Sequence, residues 1–170
     1  MLQYNKDTYS YGSIHKIGKT GAKIHVRKFC SIAGGVTALM TGHDIKNIST
    51  YPFHALGFSA SGSKHYGDLT IGNDVWIGEN ATLKGGITIG SGAVIAAESY
   101  VVNHVPPYAV YGGNPAKFIR YRFSDSEIKF LLWLKWWDWP IEKIKRNSQL
   151  LSSSDIVELQ VKYYVDSKKV

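Results

Sequence analysis

The sequence predicts a mainly β protein, a parallel β-helix carrying an excursion loop and followed by C-terminal α-helices. Three observations point there: a six-residue beat from Ile71 to about Pro106, its interruption between Leu39 and Asp68, and a change to helical patterning after Ser124.

The beat is plain when the chain is written in sixes from Ile71. Ile71, Ile77, Leu83, Ile89, Ile95 and Val101 hold its first position, and all are aliphatic. Leu69, Val75, Ala81, Ile87, Ala93 and Ser99 stand two residues before them, aliphatic or small. Amphipathic helices repeat near 3.6 residues and half-buried strands at two. A period of six fits one short strand plus one turn. Three such units close a coil, and stacked coils pair as parallel strands. A weaker version runs through Val26, Ile32 and Ala38, with Ile24, Cys30 and Val36 two residues earlier. Cys30 therefore reads as a small core residue rather than a nucleophile.

Between Leu39 and Asp68 the beat stops for some thirty residues. This loop contains His43, His54 and His65, Tyr51-Pro52-Phe53 and Ser59-Ala60-Ser61-Gly62-Ser63. So long an excursion from a compact domain is usually functional or disordered, and its aromatic content predicts order. After the turn-rich Tyr111-Gly112-Gly113-Asn114-Pro115, Ser124 and Glu127 have capping-box spacing. A helix bearing Ile128, Leu131, Leu132, Lys135 and Trp136 should follow, then a second over about 141–151. A third, capped by Ser154 or Asp155, should carry Ile156, Leu159 and Tyr163. The predicted organisation is a β-helix domain over 1–123, with its loop at 39–68, and a helical segment over 124–170.

The 170 residues carry a net charge of +7, with excess cations late in the chain at Lys117, Arg120, Arg122, Lys143, Lys145, Arg146, Lys168 and Lys169. Such a surface suits an anionic partner, here a phosphorylated small molecule, because no nucleic-acid-binding motif accompanies the charge. No apolar run is long enough to span a membrane. Met1-Leu2-Gln3-Tyr4-Asn5-Lys6-Asp7 lacks a signal-peptide apolar region, and the lone Cys30 forms no internal disulfide. The expected compartment is the cytoplasm.

Three segments now invite comparison: Ile71-Gly72-Asn73-Asp74-Val75-Trp76-Ile77-Gly78, Val94-Ile95-Ala96-Ala97-Glu98-Ser99 and Gly112-Gly113-Asn114-Pro115-Ala116-Lys117. Together they resemble the hexapeptide-repeat acyltransferases. Lys28-Phe29-Cys30-Ser31-Ile32-Ala33, Gly42-His43, Ser49-Thr50-Tyr51-Pro52-Phe53 and Arg122-Phe123 before Trp136-Trp137-Asp138-Trp139 narrow the resemblance. They are similar to the xenobiotic-acetyltransferase branch, which includes streptogramin and chloramphenicol O-acetyltransferases and sugar acetyltransferases of polysaccharide pathways. The resemblance implies a left-handed coil, a homotrimer with active sites between subunits, and acetyl-CoA along one edge of the helix. Handedness does not follow from the period, since ordinary crossovers are right-handed. The sequence departs from the family at Gly42, where Asn is frequent, at Arg27, where Gly is usual, and at Leu83-Lys84-Gly85-Gly86, which replaces a Met-Pro-Gly run.

On its own His43 is a loop histidine; the resemblance makes it the catalytic base. Imidazole suits the role because its pKa lies near neutrality. The resemblance places Trp76, Gly78, Ala96, Ala97 and Asn103 along the cofactor's pantetheine arm, and Lys117 and Arg120 at its phosphates. Asp44, Tyr51 and His54 are candidates for acceptor binding, while His15, His25 and His104 read as structural. The expected reaction is direct O-acetylation of a small acceptor, foremost a sugar or nucleotide-linked sugar. The alternatives are antibiotic O-acetylation and sugar N-acetylation. A zinc-dependent β-helix would need histidines at repeat spacing, and the clean coils hold only His104, so no metal is expected. A non-catalytic β-helix scaffold is the remaining alternative.

Overall fold

A computed structural model describes residues 4–5, 8–18, 20–59 and 63–164. Most of the Met1–Asp7 segment, Ala60-Ser61-Gly62 of the serine-rich run, and Lys168 and Lys169 lie outside the described residues. Chain contacts divide the protein into two compact units, Met1–Tyr121 and Arg122–Val170.

The first unit is a parallel β-helix. Strand β1 (Tyr4–Asn5) pairs antiparallel with β2 (Ser10–Tyr11). Coils then follow as β2, β3 (His15–Ile17) and β4 (Ile24–Val26), and next β5 (Ser31–Ile32) and β6 (Thr37–Leu39). Here an arm leaves the stack, with β7 (Thr41–His43) running out and β8 (Ser63–His65) running back. The coil resumes at β9 (Leu69–Ile71) and continues through β10 (Trp76–Ile77), β11 (Thr82–Lys84), β12 (Thr88–Ile89), β13 (Val94–Ile95) and β14 (Tyr100–Val101). Finally β15 (Ala109–Gly113) pairs antiparallel with β16 (Ala116–Tyr121). Three faces result: β2-β5-β10-β13-β15, β3-β6-β11-β14 and β4-β9-β12.

The register shows why a beat of six makes this shape. Trp76 lies beside Val94, Thr82 beside Tyr100, and Thr70 beside Thr88, so one coil is 18 residues, or three beats. Across the arm the partners are 45 apart, as in Ser31 beside Trp76, so the arm adds 27 residues without disturbing the stacking. All six aliphatic residues from Ile71 to Val101 are fully buried. Each burial of an aliphatic side chain stabilises by roughly 1.5–3 kcal/mol. The residues two positions earlier are buried beside them. Each tight corner falls one residue before that second ladder: Asp74, Asn80, Gly86, Gly92 and Glu98 all have positive φ.

In the second unit, α1 (Asp125–Leu134) begins with the expected capping box of Ser124 and Glu127. It ends sooner than the apolar pattern suggested. Lys135 adopts a left-handed conformation, and Trp136–Asp138 form a separate 3-10 turn. The buried set is accordingly Phe130, Leu131, Leu134 and Trp137, rather than one continuous face through Lys135 and Trp136. Helix α2 (Ile141–Leu151) follows Pro140, and α3 (Ile156–Tyr164) follows Asp155, whose carboxylate accepts from the Glu158 amide at 2.8 Å. Asn147 is buried between them, donating to the Lys143 carbonyl and accepting from the Tyr163 hydroxyl. Among the described residues no helix is long and apolar enough to cross a membrane.

Candidate active site

The arm departs where the second face turns into the third. Met40, at its root, is fully buried; no described residue from 41 to 68 is. A short antiparallel ribbon holds its base, with Thr41 beside His65, Gly42 beside Lys64, and His43 beside Ser63. A 3-10 turn over Phe53–Leu56 shapes its tip, where Phe53 contacts the rings of Tyr51 and Phe58.

His43 is the last residue of β7 and is exposed. Its Nδ1 lies 2.6 Å from the Thr50 carbonyl oxygen. A carbonyl can only accept, so Nδ1 must carry the proton. In the neutral ring Nε2 is then an unprotonated acceptor, the state a general base requires. The orienting group is thus a backbone carbonyl. Asp44 does not serve: its carboxylate accepts from the Lys46 amide and closes the following turn.

The structure supplies a reason for Gly42. A Cβ there would lie 2.0 Å from the Tyr66 hydroxyl and 2.9 Å from its ring carbon. Tyr66 fills the space beside the residue preceding His43. Sequence reading passed over this residue, because nothing in the primary pattern links positions 42 and 66.

The cofactor candidates fall into separate places. Trp76 points outward from β10, more than half exposed, in the row that continues through Val94 and Val110 to Arg120 on β16. Three strand spacings put Trp76 and Arg120 about 14 Å apart. Lys117 lies on the same strand opposite Gly112, and both cations are exposed. Gly78, Ala96 and Ala97 sit where the first face turns into the second. Asn103 instead lies where the second turns into the third, beside the root of the arm. Gly78 is small for a packing reason, since a Cβ would sit 2.4 Å from the Ala97 nitrogen in the next coil. Gly72 and Gly90 obey the same constraint at another corner. Small corner residues therefore leave room for a ligand but do not mark one.

The histidines read as structural have visible partners in two cases. His25 pairs with Asp68 at 3.2 Å, and His104 Nδ1 accepts from the Thr88 amide at 2.9 Å. His54 lies in the exposed 3-10 turn. Cys30 is buried with its sulfur 3.0 Å from the Gly72 carbonyl, and burial is the main cause raising its pKa, so it is no thiolate nucleophile. Among the described residues no three His, Cys, Asp or Glu side chains gather as a metal site.

Residues 68–103 match the family "Bacterial transferase hexapeptide (six repeats)". A probable macrolide acetyltransferase of Lysinibacillus sphaericus is 48% identical over 153 residues, covering 84% of this chain and 85% of that one. The chain belongs to the hexapeptide-repeat acetyltransferases. It is accordingly an acetyl-CoA-dependent enzyme, and its coils wind in the family's left-handed sense. A chloramphenicol acetyltransferase of Agrobacterium fabrum is 43% identical over 146 residues, covering 81% of this chain and 70% of its own length. The galactoside O-acetyltransferase of Escherichia coli is 35% identical over 106 residues, 58% of this chain and 48% of that one. Among solved structures, the N-acyltransferase AntD of Bacillus cereus superposes with a TM-score of 0.55 at 20% identity, covering 75% of this chain and 67% of that one, a likeness of fold alone. O-acetyl transfer is the activity this kinship supports.

Proposed function

We propose that this hexapeptide-repeat acetyltransferase moves acetyl from acetyl-CoA directly to a hydroxyl of a small acceptor, with His43 as general base. The observation that carries this is the contact from His43 Nδ1 to the Thr50 carbonyl. With Nδ1–H held there, Nε2 takes the acceptor's hydroxyl proton as the oxygen attacks the thioester carbonyl. The carbon–sulfur bond then breaks, and Nε2 returns the proton to the departing thiolate. The Thr50 carbonyl steadies the imidazolium between the two steps. Trp76, Gly78, Ala96 and Ala97 are the candidates along the pantetheine arm, with Lys117 and Arg120 at the CoA phosphates, whereas Asn103 stands on another edge of the stack.

The active enzyme is proposed to be a cytoplasmic homotrimer with its sites between subunits. Ile45, Ile48, Leu56 and Phe58 on the arm are each more than half exposed, and apolar surface on that scale favours cover by a neighbouring subunit. Sedimentation should give three times the 18.9 kDa chain mass; a monomer would contradict shared sites.

The acceptor we favour is a sugar or nucleotide-linked sugar, with Asp44, Tyr51 and His54 as candidate contacts. Acetylation of an antibiotic hydroxyl is the second reading, favoured by the macrolide and chloramphenicol acetyltransferases among the relatives. Thiol release from acetyl-CoA, measured with chloramphenicol, a streptogramin, a macrolide and a panel of nucleotide-linked sugars, separates them. His43→Ala serves as the blank. Turnover of the drugs alone would discard the sugar reading, and full turnover by His43→Ala would discard the base.

A further inference from the structure

The contacts described for His43 lie within the arm: its ladder partner is Ser63 and its ring partner is the Thr50 carbonyl. The arm buries none of its described residues. A catalytic base needs firmer support, because a displacement of about 1 Å can cost a reaction about a hundredfold.

Tyr66 reaches from the coils to that base. It continues the ribbon beyond β8, opposite Met40, whose carbonyl accepts its amide at 3.1 Å. The register puts Tyr66 on the same face as Gly42, the face opposite His43 and His65. Its ring therefore lies behind the base and leaves the front of the ribbon open to an acceptor.

Three glycines make room for this one residue. A Cβ at Gly42 would run into the Tyr66 hydroxyl, and one at Gly86 into the Tyr66 carbonyl oxygen. One at Gly85 would stand 3.2 Å from the Tyr66 Cβ and 3.3 Å from the Met40 Cα. The Gly86 amide donates to the Gly67 carbonyl at 3.1 Å, tying the next residue of the arm to the same place. The Lys84 ammonium, on β11 just before that corner, stands 5.0 Å from the centre of the Tyr66 ring. Gly85 and Gly86 turn the second face into the third. Tyr66 is thus clamped to the coil stack at one end and touches the residue before the base at the other. Two of the three departures from the family pattern, Gly42 and Leu83-Lys84-Gly85-Gly86, meet on this residue.

We propose that Tyr66 is a positioning residue for the reaction, a wedge that carries the fixed geometry of the coils through Gly42 to His43. This rests on the reading of His43 as base. Tyr66 moves no proton; it sets where Nε2 stands, as packing behind a catalytic group does.

The test is steady-state acetyl transfer to whichever compound of the acceptor panel the wild-type chain turns over fastest. Each variant is assayed well below its melting temperature, so that the folded fraction does not enter. Y66A should lower kcat about ten- to a hundredfold while the KM for acetyl-CoA holds. Y66F, which keeps the ring in the wedge, should recover most of that loss. G42N should also lower kcat, because its side chain meets the phenol. In Y66A/G42N the asparagine enters the space the phenol leaves, and turnover should rise above that of either single variant. Uncoupled residues would instead lose activity independently. Multiplied losses in the double variant, or wild-type kcat in Y66A beside an inactive H43A, would overturn the positioning role. Full turnover by H43A would strike the base itself, and the proposal with it.

Discussion

The coils from Leu69 to Val105 and the arm from Thr41 to Asp68 spend similar residues in opposite ways. In the coils every inward aliphatic side chain is sealed within one chain, and each strand except β14, the last of its face, bonds to the coils above and below. The arm buries none of its described residues, exposes Ile45, Ile48, Leu56 and Phe58, and is tied at its base by a ribbon of three residue pairs. The coils gain little from a partner, whereas the arm has its apolar cover still to find. The candidate base sits on the arm. Stability and chemistry are thus carried by different stretches of one chain, and substitutions should separate them.

The largest expected effect is on chemistry with stability untouched. H43A should lower kcat about 10²–10⁴-fold, the usual contribution of a positioned base. Because His43 is exposed, the melting temperature and acetyl-CoA affinity should hold. Near-wild-type turnover would place the base elsewhere. The converse belongs to the coils: Ile77 is fully buried, and I77A should cost about 2–5 kcal/mol in urea unfolding. F58A, on the arm, should change the midpoint of the dissociated chain by less than about 0.5 kcal/mol and act instead on assembly. Equal losses would erase the contrast.

Gly42 tests the seam between the regions. G42A drives a methyl into the Tyr66 hydroxyl and should cost about 1–3 kcal/mol as overpacking, with a fall in turnover. Adding Tyr66→Phe removes the atom met first, so G42A/Y66F should recover most of both losses. No recovery would mean that the two residues are not coupled. K117A should raise the CoA KM more than it lowers kcat, because a phosphate contact remote from the reacting carbon acts in both ground and transition states.

What could be read beforehand follows the same division. The period of six is forced by geometry, since one inward side chain per short strand leaves a mark at each repeat from Ile71 to Val101. The capping box at Ser124 and Glu127 is equally local. The end of α1 at Leu134 was less visible, because Lys135 takes a left-handed conformation that its residue type does not announce. In the arm, the orienting partner of His43 is a backbone carbonyl seven residues away, and every residue has one. The Gly42–Tyr66 packing arises from the pairing of β7 with β8, which neither residue type announces. Asn103 looked one turn on from Ala96 and Ala97 in sequence, yet a coil turns at each beat, and one turn on is a different edge.

Asp68 offers the smallest and most specific test, because it stands where the arm rejoins the coils. Its carboxylate accepts from the Lys23 amide at 2.8 Å and meets His25 Nε2 at 3.2 Å. The Lys23 amide first, and the His25 contact second, hold its pKa below the ordinary carboxylate value. The folded state therefore binds this proton less tightly than the unfolded chain does. Stability from the ionised carboxylate is complete above the unfolded value of about 3.9, and it is lost as pH falls through the lower folded value. Asp68→Asn keeps an oxygen for the Lys23 amide but has no proton to bind, so its unfolding midpoint should vary less with pH in the acid range. Both partners are about half exposed, so solvent screening keeps the difference small. Urea midpoints taken from pH 6 downward would show the wild-type curve falling toward that of the variant. Parallel curves would mean that the carboxylate does not clamp the arm to the stack.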